Sequence, residues 1–243
     1  MERKAGAQRC LVTGANRGLG LELCRQLLAQ GGRVVAACRH PGKATALNAL
    51  AGEYPGHVHV VPLEVAEPKS HASLVHELAL LTAGEPLDLL VNNAGVLRGG
   101  ERYGGVQAAD LETSFRTHAL GPFLLVQTLT PQLAEGARVA NLSSEMGSIG
   151  LRQVGLHQEF RTPSYAIGKA AQNMATSLLA QALAPRGIVV VALHPGWVRT
   201  DMGTDRAALS PQESALGLLQ VIAGLKAQDS GAFLDWQGQT LPW

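Results

Sequence analysis

Short apolar runs rich in valine and leucine recur along the chain at 10–13, 33–38, 57–61, 87–91, 138–142, 188–193 and 232–234. Each is too short for a helix and lacks the alternation of a half-exposed strand, so each predicts a strand buried on both faces. The longer segments between them carry helical spacing. Leu19, Leu23, Leu27 and Leu28 form one apolar stripe, Leu74, Leu78 and Leu81 a second, and Leu216, Leu219 and Ile222 a third. Buried strands alternating with amphipathic helices predict an α/β fold with a parallel sheet covered on both sides. Proline and glycine punctuate the joins, and no linker, repeat or low-complexity stretch interrupts the rhythm, so 1–243 reads as one domain. Two long connections stand out, 145–163 and 194–210, each after a strand and therefore at the sheet edge where such folds bind ligands.

Composition narrows the classes. With 46% hydrophobic residues, 16% charged residues and a net charge of +1, the chain is neither disordered nor a basic wrapper of nucleic acid or anionic membranes. No apolar run is long enough to span a bilayer, and Met1 to Gln8 is charged rather than signal-like. The three cysteines, Cys10, Cys24 and Cys38, are odd in number and lack CxxC spacing, which argues against a disulfide scaffold or a zinc site. His57 and His59 share a strand face without further ligands, so no metal is expected. A cytoplasmic protein acting on a small molecule, without nucleic acid or membrane partners, is the expectation.

The first strand runs into Gly14-Ala-Asn-Arg-Gly18-Leu-Gly20 and then a helix. Such glycines permit a tight turn, close backbone approach to phosphates and close helix packing, and the helix start offers free N–H groups to a pyrophosphate. In this strand–turn–helix context the turn predicts a three-layer Rossmann-type sheet of about seven strands that binds a dinucleotide. The second strand ends at Arg39, where a site for NAD would want an acidic residue on the ribose. Arg39 and Arg17 together suit a 2′-phosphate, so the expected cofactor is NADP(H).

Further motifs follow in order: Asn92-Asn-Ala-Gly95, Ser144, Tyr165-x-x-x-Lys169 and Pro195-Gly196. With the glycine turn they make the whole chain resemble the short-chain dehydrogenase/reductases. Leu193-His-Pro-Gly-Trp-Val-Arg-Thr-Asp-Met202 and the tail from Phe233 to Trp243 resemble the C-factor/sniffer-like carbonyl reductases in particular. The resemblance implies an NADPH-dependent reduction of a ketone or aldehyde with Ser144, Tyr165 and Lys169 catalytic, in a homodimer or homotetramer. It also implies cofactor contacts from Gly14, Asn16, Arg17, Gly18, Leu19 and Gly20, from Arg39, Glu64 and Val65, and from Asn92, Ala94 and Gly95. Tyr165, Lys169, Pro195, Gly196, Val198 and Thr200 would complete the set. Glu64 stands where the family usually has an aspartate. The alternative function is an NADP(H)-binding regulatory or redox-sensing protein with little turnover.

The chemistry of the residues agrees with the resemblance. Reducing a carbonyl by hydride makes an alkoxide that needs a proton. A free tyrosine ionises only near pH 10, but Tyr165 and Lys169 are one helical turn apart, and an ammonium beside the phenol would favour phenolate. Ser144 could polarise the carbonyl oxygen. The resemblance implies that Lys169 also holds the nicotinamide ribose. Ser144 lies 21 residues before Tyr165, against about 13 in the family, so Val154 to Arg161 should form an excursion beside the substrate pocket. Where the family has an asparagine that holds a proton-relay water, this chain has His118. Two readings stand, a modified relay with a pH dependence below 7 and a plain core histidine. Trp197, Met202 and Met146 are candidate walls of an apolar pocket.

Overall fold

The computed structural model describes residues 7–154 and 162–243. Seven strands form one sheet: β1 Arg9–Thr13, β2 Arg33–Cys38, β3 Val58–Pro62, β4 Leu87–Asn92, β5 Leu133–Leu142, β6 Val189–His194 and β7 Phe233–Asp235. Every pairing is parallel and the order is β3-β2-β1-β4-β5-β6-β7. The order reverses between β1 and β4, which opens a crevice at their carboxyl ends. All seven predicted runs are strands. β5 begins earlier than its apolar run, because Leu133 pairs with Leu87 ahead of a register irregularity before Leu89.

Eight α-helices occur among the described residues. They are α1 Gly18–Ala29, α2 Thr45–Glu53, α3 Pro68–Leu81, α4 Ala108–Phe115, α5 Gly121–Leu129, α6 Ile149–Gln153, α7 Pro163–Leu183 and α8 Pro211–Gly224. Alternate strand residues feed two cores, as a pleat dictates. Cys10 and Val12 pack with Leu23 and Leu27 of α1, Leu47 of α2 and Leu218 of α8. Leu11 points the other way, into Leu74 and Leu78 of α3, Leu125 and Leu129 of α5 and Leu179 of α7. The stripe expected on α8 is rotated: Leu216 is exposed, and Ala215, Leu218, Leu219 and Ile222 are buried. Leu216 sits one residue past the buried Ala215 and one before the buried Gly217, off the face that the helical period assigns to the sheet.

The segment after β5 is not a bare connection. A single turn, Glu145–Gly147, is capped by the Ser144 side chain, and α6 is capped by Ser148. The predicted excursion at Val154 to Arg161 lies, apart from Val154, outside the described residues. Of the predicted connection 194–210, His194 belongs to β6, and 195–210 run without a helix or strand except for a bridge between Val198 and Leu209. No helix among the described residues is long and apolar enough to cross a membrane, and no group of three potential metal ligands occurs among them.

Candidate active site

A cleft of about 1890 Å³ lies along the carboxyl ends of the central strands. That exceeds the 300–1,000 Å³ typical of a small-ligand pocket. Its lining includes Gly14, Asn16, Arg17, Gly18, Leu19, Gly20, Arg39, Glu64, Val65, Ala94, Gly95, Ser144, Tyr165, Lys169, Pro195, Gly196, Val198 and Thr200. One expected cofactor residue is missing from this wall. Asn92 is buried at the end of β4, where its Nδ2 donates to Asn141 Oδ1 at 2.8 Å. Strand alternation turns Asn92 into the sheet and brings its neighbour Asn93 to the cleft. Asn93 Nδ2 donates to the carbonyls of Thr13 and Gly14 at 2.8 and 3.0 Å, joining the ends of β1 and β4.

The turn after β1 is shaped by close approaches. Gly14 and Gly18 have φ of +64° and +52°, which favour glycine. A Cβ on Gly14 would come within 2.8 Å of Ala94 Cα, and one on Gly20 would strike Gly14 O and Asn93 Nδ2. No side chain caps the start of α1, so its first-turn amides keep their donors for a ligand. The two arginines expected to work together both line the cleft but pair with different carboxylates. Arg17 Nη1 pairs with Asp201 Oδ2 at 2.5 Å across the cleft mouth, while Arg39 Nε lies 3.9 Å from Glu64 Oε2. Each exposed guanidinium has turned to its nearest carboxylate. His40 and Lys43 add basic side chains beside Arg39.

At the other end of the cleft, Ser144 ends its strand region and Tyr165 and Lys169 share one face of α7. The Tyr165 hydroxyl is hydrogen-bonded with Ser144, which favours phenolate. Ser143, by contrast, commits its hydroxyl to Asn173 Oδ1 at 2.5 Å. Lys169 Nζ lies 5.6 Å from the Tyr165 ring centre and donates to Leu142 O at 2.5 Å and Gln172 Oε1 at 3.0 Å. The expectation that this ammonium lowers the tyrosine pKa is corrected here. Burial dominates both groups, pushing Tyr165 up to about 12 and Lys169 down to about 7.

His118 is also settled. It lies on a π-helical turn, Arg116–Leu120, with its ring edge-on to Tyr165 at 5.2 Å. Its Nε2 accepts the Val96 N–H at 3.1 Å. Ser114 Oγ donates to Ser164 O at 2.7 Å, so it must accept from His118 Nδ1 at 3.1 Å. Both ring nitrogens are thereby committed in one neutral tautomer. Burial first, and then the Lys169 charge, holds its pKa well below the usual value. Burial and these bonds oppose protonation of the ring, which favours the core-histidine reading over a relay with a pH dependence below 7.

Beyond the sixth strand, Thr200 comes close enough to the turn that its Cγ2 would lie 3.3 Å from a Cβ on Gly18. Trp197 and Met202 are partly exposed walls, with Trp197 Nε1 donating to Gly203 O at 2.6 Å, and Met146 faces the same space. Sequence reasoning did not single out Glu101, Ser114, Ser164 or Gln172, all of which bond within this site. None carries a local motif, because each acquires its partner only through the fold.

Residues 8–209 match the short chain dehydrogenase family. The chain belongs to it. The C-signal of Myxococcus xanthus is 42% identical over 160 residues, 65% of this chain and 93% of that protein. Among solved structures, the NADPH-bound carbonyl reductase from chicken fatty liver is 37% identical with a TM-score of 0.92, over 98% of this chain and 100% of that one. The carbonyl reductase Sniffer of D. melanogaster is 30% identical with a TM-score of 0.91, over the same shares. The resemblance to carbonyl reductases of this kind thus extends from motifs to the whole fold.

Proposed function

We propose that the chain is an NADP(H)-dependent carbonyl reductase in which Tyr165 is the proton donor, Ser144 orients the carbonyl and Lys169 supports both. The observation that carries the reading is that Ser144, Tyr165 and Lys169 line the same cleft as the glycine turn. The residues present fit the dinucleotide. Uncapped amides at the start of α1, a turn that a Cβ would block and the basic group of Arg39, His40 and Lys43 suit pyrophosphate and 2′-phosphate. Relatives that carry NADPH support the same choice.

When bound, NADPH supplies the hydride. Ser144 Oγ accepts the Met146 N–H at 3.2 Å, which holds the hydroxyl in place to donate to a carbonyl oxygen. Tyr165, kept protonated by burial, then delivers its proton to the oxygen as charge builds there. Lys169 in its ammonium form has three donors. Two are held by Leu142 and Gln172, leaving one for a ribose hydroxyl.

The test is NADPH oxidation with a panel of quinones, isatin-like diketones and aldehydes. Turnover that falls by about 10²-fold or more in Tyr165→Phe is expected, and Arg39→Asp should shift preference toward NADH. A regulatory reading draws on the C-signal relative. Binding without turnover across the panel, unchanged by Tyr165→Phe, would select it instead.

A further inference from the structure

The helix that carries Tyr165 starts with a proline at its first position, Pro163, but has no side-chain cap of its own. Thr162, at the N-cap of α7, makes no side-chain cap bond, and its first turn contains no acidic residue. The missing cap comes from 63 residues away. Glu101 Oε2 accepts the Ser164 N–H at 3.0 Å, and the Ser164 hydroxyl donates to Oε1 and Oε2 at 2.6 and 2.7 Å. Glu101 is 8% exposed and Ser164 is 3% exposed. A carboxylate is costly to bury unless it is hydrogen-bonded, and all three bonds described here go to the residue immediately before Tyr165.

The other side of Ser164 is gripped as well. Its carbonyl accepts from Ser114, which also binds His118, and His118 in turn holds Val96. Val96 and Glu101 both belong to the loop after β4, and Arg98 fixes that loop to α4 through Asp110 at 3.0 Å. The loop thus grips the first turn of α7 at two points, directly through Glu101 and indirectly through His118 and Ser114. We propose that Glu101 is a positioning residue for the reaction: its carboxylate clamps the first turn of α7 and so fixes where the Tyr165 hydroxyl stands relative to Ser144. This rests on Tyr165 being the proton donor. Glu101 bonds to Ser164 rather than to Ser144, Tyr165 or Lys169, so its effect passes through the helix.

The experiment compares the full chain with Glu101→Ala, Glu101→Gln, Glu101→Asp and Tyr165→Phe, reading kcat and KM on the best panel substrate. NADPH affinity by fluorescence, Tm and amide exchange in the first turn of α7 are read alongside. A loss of alignment of about 1 Å can cost up to about 10²-fold in rate, so Glu101→Ala is expected to lose kcat by about tenfold to a hundredfold. Its NADPH Kd should stay within about twofold, since the clamp's bonds go to Ser164 and not to the glycine turn. Exchange at the Ser164 amide should quicken while the rest of the helix is unchanged. Glu101→Gln keeps an acceptor oxygen in place and should recover kcat to within about threefold of the parent. Should Glu101→Ala fail to fold, Glu101→Asp withdraws the carboxylate by one methylene and should show the same split in weaker form. Wild-type kcat in Glu101→Ala, or no recovery in Glu101→Gln, overturns the proposal; so does NADPH affinity falling in step with kcat. Retained turnover in Tyr165→Phe would instead overturn the reading of Tyr165 beneath it.

Discussion

At the glycine turn the cleft is made of backbone and of exposed ion pairs, whereas around Tyr165 it is made of buried side chains bonded to one another. Arg17, Asp201, Arg39 and Glu64 all keep substantial contact with solvent. His118, Ser114 and Ser164 are hydrogen-bonded in series, with the Tyr165 ring edge-on to His118 and the buried Lys169 beside that ring. The contrast matters because charges in water are screened and exchange partners cheaply, while buried groups are shifted by desolvation. One end of the cleft should therefore fail through sterics, and the other through electrostatics.

The steric effect is expected at the first end. A Cβ at position 20 has no room, because Gly14 O and Asn93 Nδ2 occupy its place and Asn93 is held by two backbone carbonyls. Gly20→Ala is expected to destabilise the fold by about 1–3 kcal/mol through overpacking, with NADPH affinity lost to a displaced turn. Denaturant unfolding and fluorescence titration check both. An unaltered protein would mean that the close packing of β1, β4 and α1 is looser than the backbone approach indicates.

At the second end the expected effect is a slope rather than a step. Lys169 is held near 7 in the folded chain, against an ordinary value of 10.5. Between those two pH values the unfolded chain binds a proton that the folded chain does not, so stability rises as pH rises through the window and is lost as pH falls. Lys169→Met removes this linkage. Wild type should gain on the variant by up to about 1.4 kcal/mol per pH unit between pH 7 and 10, read as paired unfolding curves. Tyr165, raised to about 12, acts in the opposite sense only above pH 10 and leaves this window clear. A flat difference would remove the distinction between the two ends.

The same contrast explains what could be read from the sequence. Backbone features are local, so the glycine turn was visible as three glycines between a strand and a helix, and the strands as apolar runs. Tyr165 and Lys169 were visible because their spacing is one helical turn. The partners that surround them were not. Glu101 caps a helix 63 residues away, and Ser114 reaches Ser164 across 50 residues, so neither leaves a periodic trace. Where local reasoning went wrong, desolvation was the omitted quantity: it raises the Tyr165 pKa against the expected lowering and lowers that of His118. Asn92 was misplaced by one residue, which in a strand is the difference between facing a cleft and facing the sheet.

The smallest effect belongs to the pair that bridges the cleft mouth. Arg17 and Asp201 meet at 2.5 Å with most of both side chains in water. Exposed pairs of this kind contribute below about 1 kcal/mol, so Asp201→Ala should leave Tm nearly unchanged. It should, however, free the Arg17 guanidinium beside the glycine turn and remove one negative charge from the entrance. NADPH affinity is then expected to rise by about two- to threefold at low ionic strength, and the gain should vanish near 1 M salt, where screening acts within about 3 Å. Arg17→Ala should do the reverse. A gain that persisted at high salt would show that this ion pair is shielded like the buried groups around Tyr165. A loss of affinity would show that Asp201 helps to close the mouth over the ligand. Either result would make the glycine end of the cleft depend on side-chain organisation as the tyrosine end does.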